Sequence, residues 1–312
     1  MTGASATARD RDNAVWLAGA AYELGEHRLP HDRIEGLAAL FAARELPMLP
    51  QVLGLGDVYK TDDVYRLASV SIRKTLTKAG VPSSRVDCVI TSAASFRHDF
   101  DTQKIGYGKA LLDNAIQPRS FYGVSGTGCA ALLSAIELAR DLVIAERFAC
   151  VLIVNVDHIV STDDRARFID YAMVSDSAAS VLVIGRPGLP TQHRVVCIRT
   201  QTNVEQMVRG IRWNSSDIGA AAIEGARQAA QIQLSDLDKV LSTNTFLPIK
   251  KHRERALGFA PAQQFLGNIV RLGHCLAADA LISLVDCESA EPKLRLLYSE
   301  ADGHAAAIVV SG

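Results

Sequence analysis

The chain leans to neither sign of charge: 33 basic side chains stand against 34 acidic ones, a net charge of −1 over 312 residues. That balance removes any global attraction to nucleic acid or to an anionic membrane surface. There is no C-x-x-C pair and no Cys/His spacing suited to zinc, so no metal site is expected. Cys88, Cys129, Cys150, Cys197, Cys275 and Cys287 are scattered, mostly in apolar runs, as in a reduced, cytoplasmic protein. No apolar stretch reaches the length of a membrane span. Residues 1–13 are small, polar and charged instead of forming a signal peptide, and read as a disordered start. No short-period repeat is present.

What is there is a core-forming chain with 48% hydrophobic and 21% charged residues. Its length fits two domain-sized units or one large layered domain. Ala14–Ala21 suits a first core strand. Residues 27–57, punctuated by Pro30, Pro47, Pro50, Gly54 and Gly56, read as an excursion over a surface or pocket. Asp62 or Asp63 caps a helix from Val64 to about Lys78, ended by Gly80-Val81-Pro82, and Val86–Thr91 follows as a strand. The polar segment Phe96–Asp113 reads as a solvated face or a loop near a pocket. Ala149–Val156 is almost purely apolar, as a strand buried on both faces requires. Val174–Gly185 closes the first half.

After Pro187 and Pro190 the pattern restarts. The strand Arg194–Thr200, the Ala-rich helix Ile218–Gln231 and the strand Leu237–Leu241 are followed by a helix opened by Pro248 and stopped by Gly258. An apolar helix over Cys275–Asp286 and strands over Leu294–Leu297 and Ala305–Val310 complete it. The expected division is a half over 14–188 and a second over 189–312, each burying a sheet under helices.

Within this frame Gly126-Thr127-Gly128-Cys129-Ala130-Ala131 stands out. A strand ending near Val124, a glycine-punctuated turn and an amphipathic helix would expose a thiol at a helix N-terminus. There the unpaired N–H groups and the dipole favour a thiolate. Cys129 is thus a candidate nucleophile, and a small buried hydrophobe is the alternative.

Three stretches in this order, the Cys129 turn, Ser175-Asp176-Ser177-Ala178-Ala179-Ser180-Val181-Leu182-Val183 and Gly273-His274-Cys275-Leu276-Ala277-Ala278-Asp279-Ala280-Leu281, resemble β-ketoacyl-acyl-carrier-protein synthase III and its thiolase-fold relatives. The resemblance spans residues 14–312. It implies an α/β thiolase fold, five layers α-β-α-β-α in two duplicated halves, usually a homodimer, with Cys129 as nucleophile.

Two departures redirect the chemistry. Condensing members place a His at a strand end in the second half and an Asn before an Ala-rich helix. Here the strand end reads Leu241-Ser242-Thr243-Asn244-Thr245-Phe246, and His274 occupies the Asn position. Cys129, His274 and Asp279 resemble instead the Cys-His-Asp set of synthase-III-like acyltransferases of polyketide pathways. Such a His can take the thiol proton while a carboxylate fixes its tautomer. Five residues on a regular helix turn through about 140°, so His274 is expected before the helix and Asp279 in its first turns.

The resemblance implies an acyl-Cys129 thioester loaded from an acyl carrier protein or coenzyme A, with no cofactor beyond that carrier. The acyl group then passes to a hydroxyl, amine or carrier thiol. It implies oxyanion donors at the backbone N–H groups of Cys129 and Gly303. Thr243 and Asn244 offer polar support or a capping or loop role. Lys250, Lys251, Arg253 and Arg255 read as a carrier docking patch or a solvated charged face. Arg209, Arg212 and Trp213 are candidates to hold the pantetheine arm. Decarboxylative condensation, thioester hydrolysis and a catalytically silent partner subunit stay open.

Overall fold

A computed structural model of the chain describes residues 14–94, 99–209, 217–287 and 291–312. Strand β1 (Val15–Leu24) is followed by the excursion β2 (His27–Pro30), α1 (Leu37–Ala43), α2 (Pro50–Leu53) and β3 (Asp57–Lys60). Next come α3 (Val64–Ala79), β4 (Cys88–Ser92), α4 (Phe100–Asp113), β5 (Ser120–Val124), α5 (Ala131–Ile144) and β6 (Cys150–Asp157). The short pair β7 (Phe168–Ile169) and β8 (Ala172–Met173) leads into β9 (Ser177–Ile184). The second half runs β10 (Gln192–Thr202), α6 (Val204–Arg209), α7 (Asp217–Ala230), β11 (Lys239–Ser242), α8 (Leu247–Ala256), α9 (Gly267–Leu272), α10 (Asp279–Asp286), β12 (Leu294–Ala301) and β13 (His304–Ser311).

Nine strands form one hydrogen-bonded sheet in the order β11-β12-β13-β10-β1-β9-β6-β4-β5, joined at its middle by the antiparallel β1–β10 pair. Outward from that pair the two wings repeat. In the first, β1-β9-β6-β4-β5 pair antiparallel, antiparallel, parallel, parallel. In the second, β10-β13-β12-β11 pair antiparallel, antiparallel, parallel. The position of β5 is reduced there to a single parallel bridge between Val240 and Gln264.

Alternation along the strands builds the layers. Val151 and Ile153 of β6, Val181 and Val183 of β9 and Ala306, Ile308 and Val310 of β13 share one core with α5 and α10. Their neighbours Leu152, Val154 and Leu182 face α3 and α4 in a second core. Ala305, Ala307 and Val309 face α7 in a third. The layers are therefore helix, wing, helix, wing, helix: the five-layered α/β thiolase fold in two duplicated halves. No helix among the described residues is long and apolar enough to cross a membrane.

Several boundaries follow from local chemistry. Asp63 caps α3 by accepting from the Tyr65 and Arg66 amides, and Gly80 ends it at φ 66°. The segment expected to be a loop or solvated face is, from Phe100 on, the helix α4, capped by Asp99 and burying Gly106, Tyr107, Ala110 and Leu111. Gly106 and Ala110 sit on the buried face while Phe100, Ile105 and Leu112 are exposed, so no hydrophobic period marks this helix. The expected disordered start, and Phe96 and His98 of that segment, lie outside the described residues. The helices expected to begin at Cys129 and Cys275 begin later, at Ala131 and Asp279, each after a 3-10 turn. All six cysteines are free thiols.

Candidate active site

Those two 3-10 turns, Gly128–Ala130 and Leu276–Ala278, lie against each other at the heads of α5 and α10. Glycine is required in both approaches. Gly128 sits at φ +50°, and a Cβ there would come within 2.5 Å of the Ala301 Cβ. Gly273, at φ +63°, would place its Cβ 2.5 Å from the Met173 carbonyl oxygen.

The convergence sets Cys129 Sγ 3.7 Å from His274 Nε2, and His274 Nδ1 2.6 Å from Asp279 Oδ2. Nδ1 facing the carboxylate fixes which nitrogen faces the thiol. Each partner is held in turn. The His274 amide donates to Met173 O and its carbonyl accepts from the Ser175 amide, so the residue is pinned as an extra bridge beside Val174. Asp279 also accepts from the Cys275 amide, the Asn244 amide and the Asn244 side-chain amide. Asp157, buried at the end of β6, accepts from the Ala277 amide at 3.0 Å and so anchors the turn between His274 and Asp279.

Electrostatics follow from this enclosure. Burial alone would strip the proton from His274, but the Asp279 carboxylate and the Cys129 sulfur outweigh it and raise its pKa to about 10. A charged imidazole beside the sulfur is the partner a thiolate needs. Burial pushes other thiols away from reactivity: Cys88 to about 11, Cys150 to about 12 and Cys275 well above the usual range.

The end of β11 braces both sides of this relay. Asn244 holds Asp279, while Thr243 lies 3.3 Å from Ser299 Oγ, which donates to the Cys129 carbonyl at 2.7 Å. Ser299, Asp157 and Tyr171, whose ring centroid is 6.1 Å from that of His274, went unnoticed in the sequence. Only contacts across more than forty residues of chain reveal them.

Gly303 occupies the β12–β13 turn, where its carbonyl accepts from the Asn203 amide and an added Cβ would meet Asn203 and Met207. The part of β12 that meets the Cys129 turn is Ser299–Ala301.

The basic helix requires correction. Lys250 is 2% exposed, and its Nζ donates to Ser242 O and Oγ, with Glu254 Oε1 at 3.1 Å. It braces the end of β11 and is unavailable to a partner. Arg253 pairs with Glu300, leaving half-buried Lys251 and exposed Arg255 at the surface. Arg209 is exposed and paired with Glu205, whereas Arg212 and Trp213 lie outside the described residues. Among the described residues one trio has metal-ligand spacing, Glu26, His27 and Asp62; it is exposed, with Glu26 held by Arg66.

No protein-family model and no curated protein matches the chain. Solved structures do. ChlB3, an acyltransferase, matches with TM-score 0.77 at 18% identity over 95% of this chain and 97% of its own. OleA of Xanthomonas campestris, a cysteine-to-serine variant with bound lauric acid and lauroyl-CoA, matches with TM-score 0.79 at 15% identity over 96% and 98%. The 3-oxoacyl-(acyl carrier protein) synthase III FabH of Xanthomonas oryzae pv. oryzae matches with TM-score 0.76 at 14% identity over 96% and 98%. The likeness establishes the fold across the whole described chain.

Proposed function

We propose that the protein is an acyltransferase that carries an acyl group on Cys129 and delivers it to a heteroatom. The observation that carries this reading is the relay from half-buried Cys129 to buried His274 and Asp279, with Thr243 and Asn244 bracing it where a condensing enzyme would need a second imidazole. With its proton held by His274, Cys129 attacks a thioester on coenzyme A or an acyl carrier protein; the C–S bond to the carrier breaks, and the carrier leaves as a thiol by taking that proton from His274, which is left neutral. The acceptor, a hydroxyl, amine or second carrier thiol, then loses its proton to His274 Nε2 as it attacks the acyl-enzyme. The Cys129 amide is the first oxyanion donor, and the Ser299–Ala301 stretch is better placed than Gly303 to supply the second. No cofactor beyond the carrier's phosphopantetheine or coenzyme A enters these steps.

The fold is shared by a named acyltransferase and by a named synthase III, so condensation is the second reading. The strand end without histidine speaks against it. Assignment to a secondary-metabolite or polyketide pathway and to the cytoplasm belongs to the same proposal, and free thiols suit a reducing compartment. A homodimer fits β5, an edge strand whose Phe121 and Tyr122 are 49% and 40% exposed.

Intact-protein mass spectrometry after incubation with acyl thioesters tests the reading. A mass increase of one acyl group on the wild type, absent from Cys129→Ala, is expected; no increase, or the same increase in both, overturns it.

A further inference from the structure

Tyr171 lies at the tip of the β7–β8 hairpin and is half-buried. Three contacts fix it there. Its carbonyl accepts from the Phe246 amide at 2.7 Å, which ties the tip to the loop that also carries Asn244. Two residues on, Met173 O accepts from the His274 amide, so hairpin and imidazole move together. The ring lies 6.1 Å from the His274 ring at 54°. Burial raises the phenol's pKa above its usual range; the Cys129 sulfur and Asp302 add to the shift and Arg253 opposes it. The ring is thus fixed beside His274, the imidazole that faces the reactive sulfur.

An acyl-enzyme has two fates. In either, the attacking heteroatom bonds to the acyl carbon as its proton passes to His274 Nε2. The C–S bond breaks, and the sulfur leaves with the electron pair and recovers a proton from His274. With water the product is a carboxylic acid, and with the acceptor it is the transferred acyl group. The relay cannot tell the two apart, because His274 deprotonates either. Discrimination has to come from what reaches the thioester.

We propose that Tyr171 is the specificity-determining residue of this partition: its ring, held beside His274 by the β7–β8 hairpin, keeps bulk water from Cys129 so that the acceptor takes the acyl group. This deepens the acyl-Cys129 reading and rests on it. The ring, not the hydroxyl, performs the exclusion, so Tyr171→Phe and Tyr171→Ala should differ.

The test uses the full-length protein and two readouts. Acetyl-, hexanoyl- and benzoyl-CoA load the enzyme, and the lifetime of the adduct in buffer is followed by intact-protein mass spectrometry. In Tyr171→Ala the lifetime should fall by about fivefold or more, with Tyr171→Phe within about twofold of the wild type, as for loss of a water-excluding wall. Separately, alkylation of Cys129 by iodoacetamide in the free enzyme should accelerate in Tyr171→Ala and not in Tyr171→Phe. Equal lifetimes and equal alkylation rates in all three proteins would overturn the assignment, as would Tyr171→Phe behaving like Tyr171→Ala. If no thioester loads the wild type, the acyl-enzyme reading fails by itself, and the alkylation rates still decide whether Tyr171 shields the thiol.

Discussion

The turn before α5 and the turn before α10 occupy matching places in the two wings of the sheet. Each opens with a glycine at positive φ, passes through a 3-10 turn and enters a helix of the middle layer. One delivers a thiol, the other an imidazole and its carboxylate. A duplicated scaffold thereby brings two equivalent helix heads to one point. Their chemistry is divided: neither half holds nucleophile and base together. The wings differ at a second place. The first has the full strand β5, while the second keeps only the Val240–Gln264 bridge, and the residues after β11 serve instead as braces.

The largest effects should come from stripping the second turn of its load. His274→Ala is expected to lower the rate of Cys129 acylation by about a thousandfold or more, and Asp279→Asn by about a hundredfold or more, in stopped-flow acylation assays. If either variant acylates at the wild-type rate, the second turn has no part in activating the first.

The brace at the β11 end comes next. Lys250→Met leaves Glu254 buried without its cation and should cost about 3 to 5 kcal/mol in urea unfolding, most of it recovered in Lys250→Met/Glu254→Leu. Wild-type stability in Lys250→Met would mean that the pair is not buried in solution.

A smaller effect depends on pH. His274 has its pKa raised from 6.5 unfolded to about 10 folded, so its contribution is complete below about pH 6.5 and is lost as the pH rises through 10. The urea midpoint of the wild type should therefore fall between pH 7 and 9.5, and that of Asp279→Asn should fall less. Parallel curves would remove the ion pair from the account. Smallest of all, charge reversal at Lys251 and Arg255 should raise KM for carrier-bound thioesters about threefold and leave coenzyme A thioesters unchanged.

Much of this architecture was legible in the sequence. The apolar run of β6, the Asp63 cap and the Gly80 stop each rest on local chemistry that a linear sequence carries. Lys250 was not legible, because the buried face of α8 is lined by Lys250 and Glu254, and charged residues at helical spacing read as a solvated face. The order of Cys129, His274 and Asp279 along the chain was visible, but the proximity of the first to the second is a contact across 145 residues. Ser299, Asp157 and Tyr171 act on the site through contacts of the same kind, which hydrophobic periodicity does not encode.

The most direct test of the divided pair offers the acyl-loaded enzyme a malonyl thioester and a heteroatom nucleophile together, with products analysed by mass spectrometry and carbon dioxide release measured. The predicted result is an ester, amide or new thioester with no carbon dioxide above background. A β-ketoacyl thioester formed with stoichiometric carbon dioxide would contradict the account.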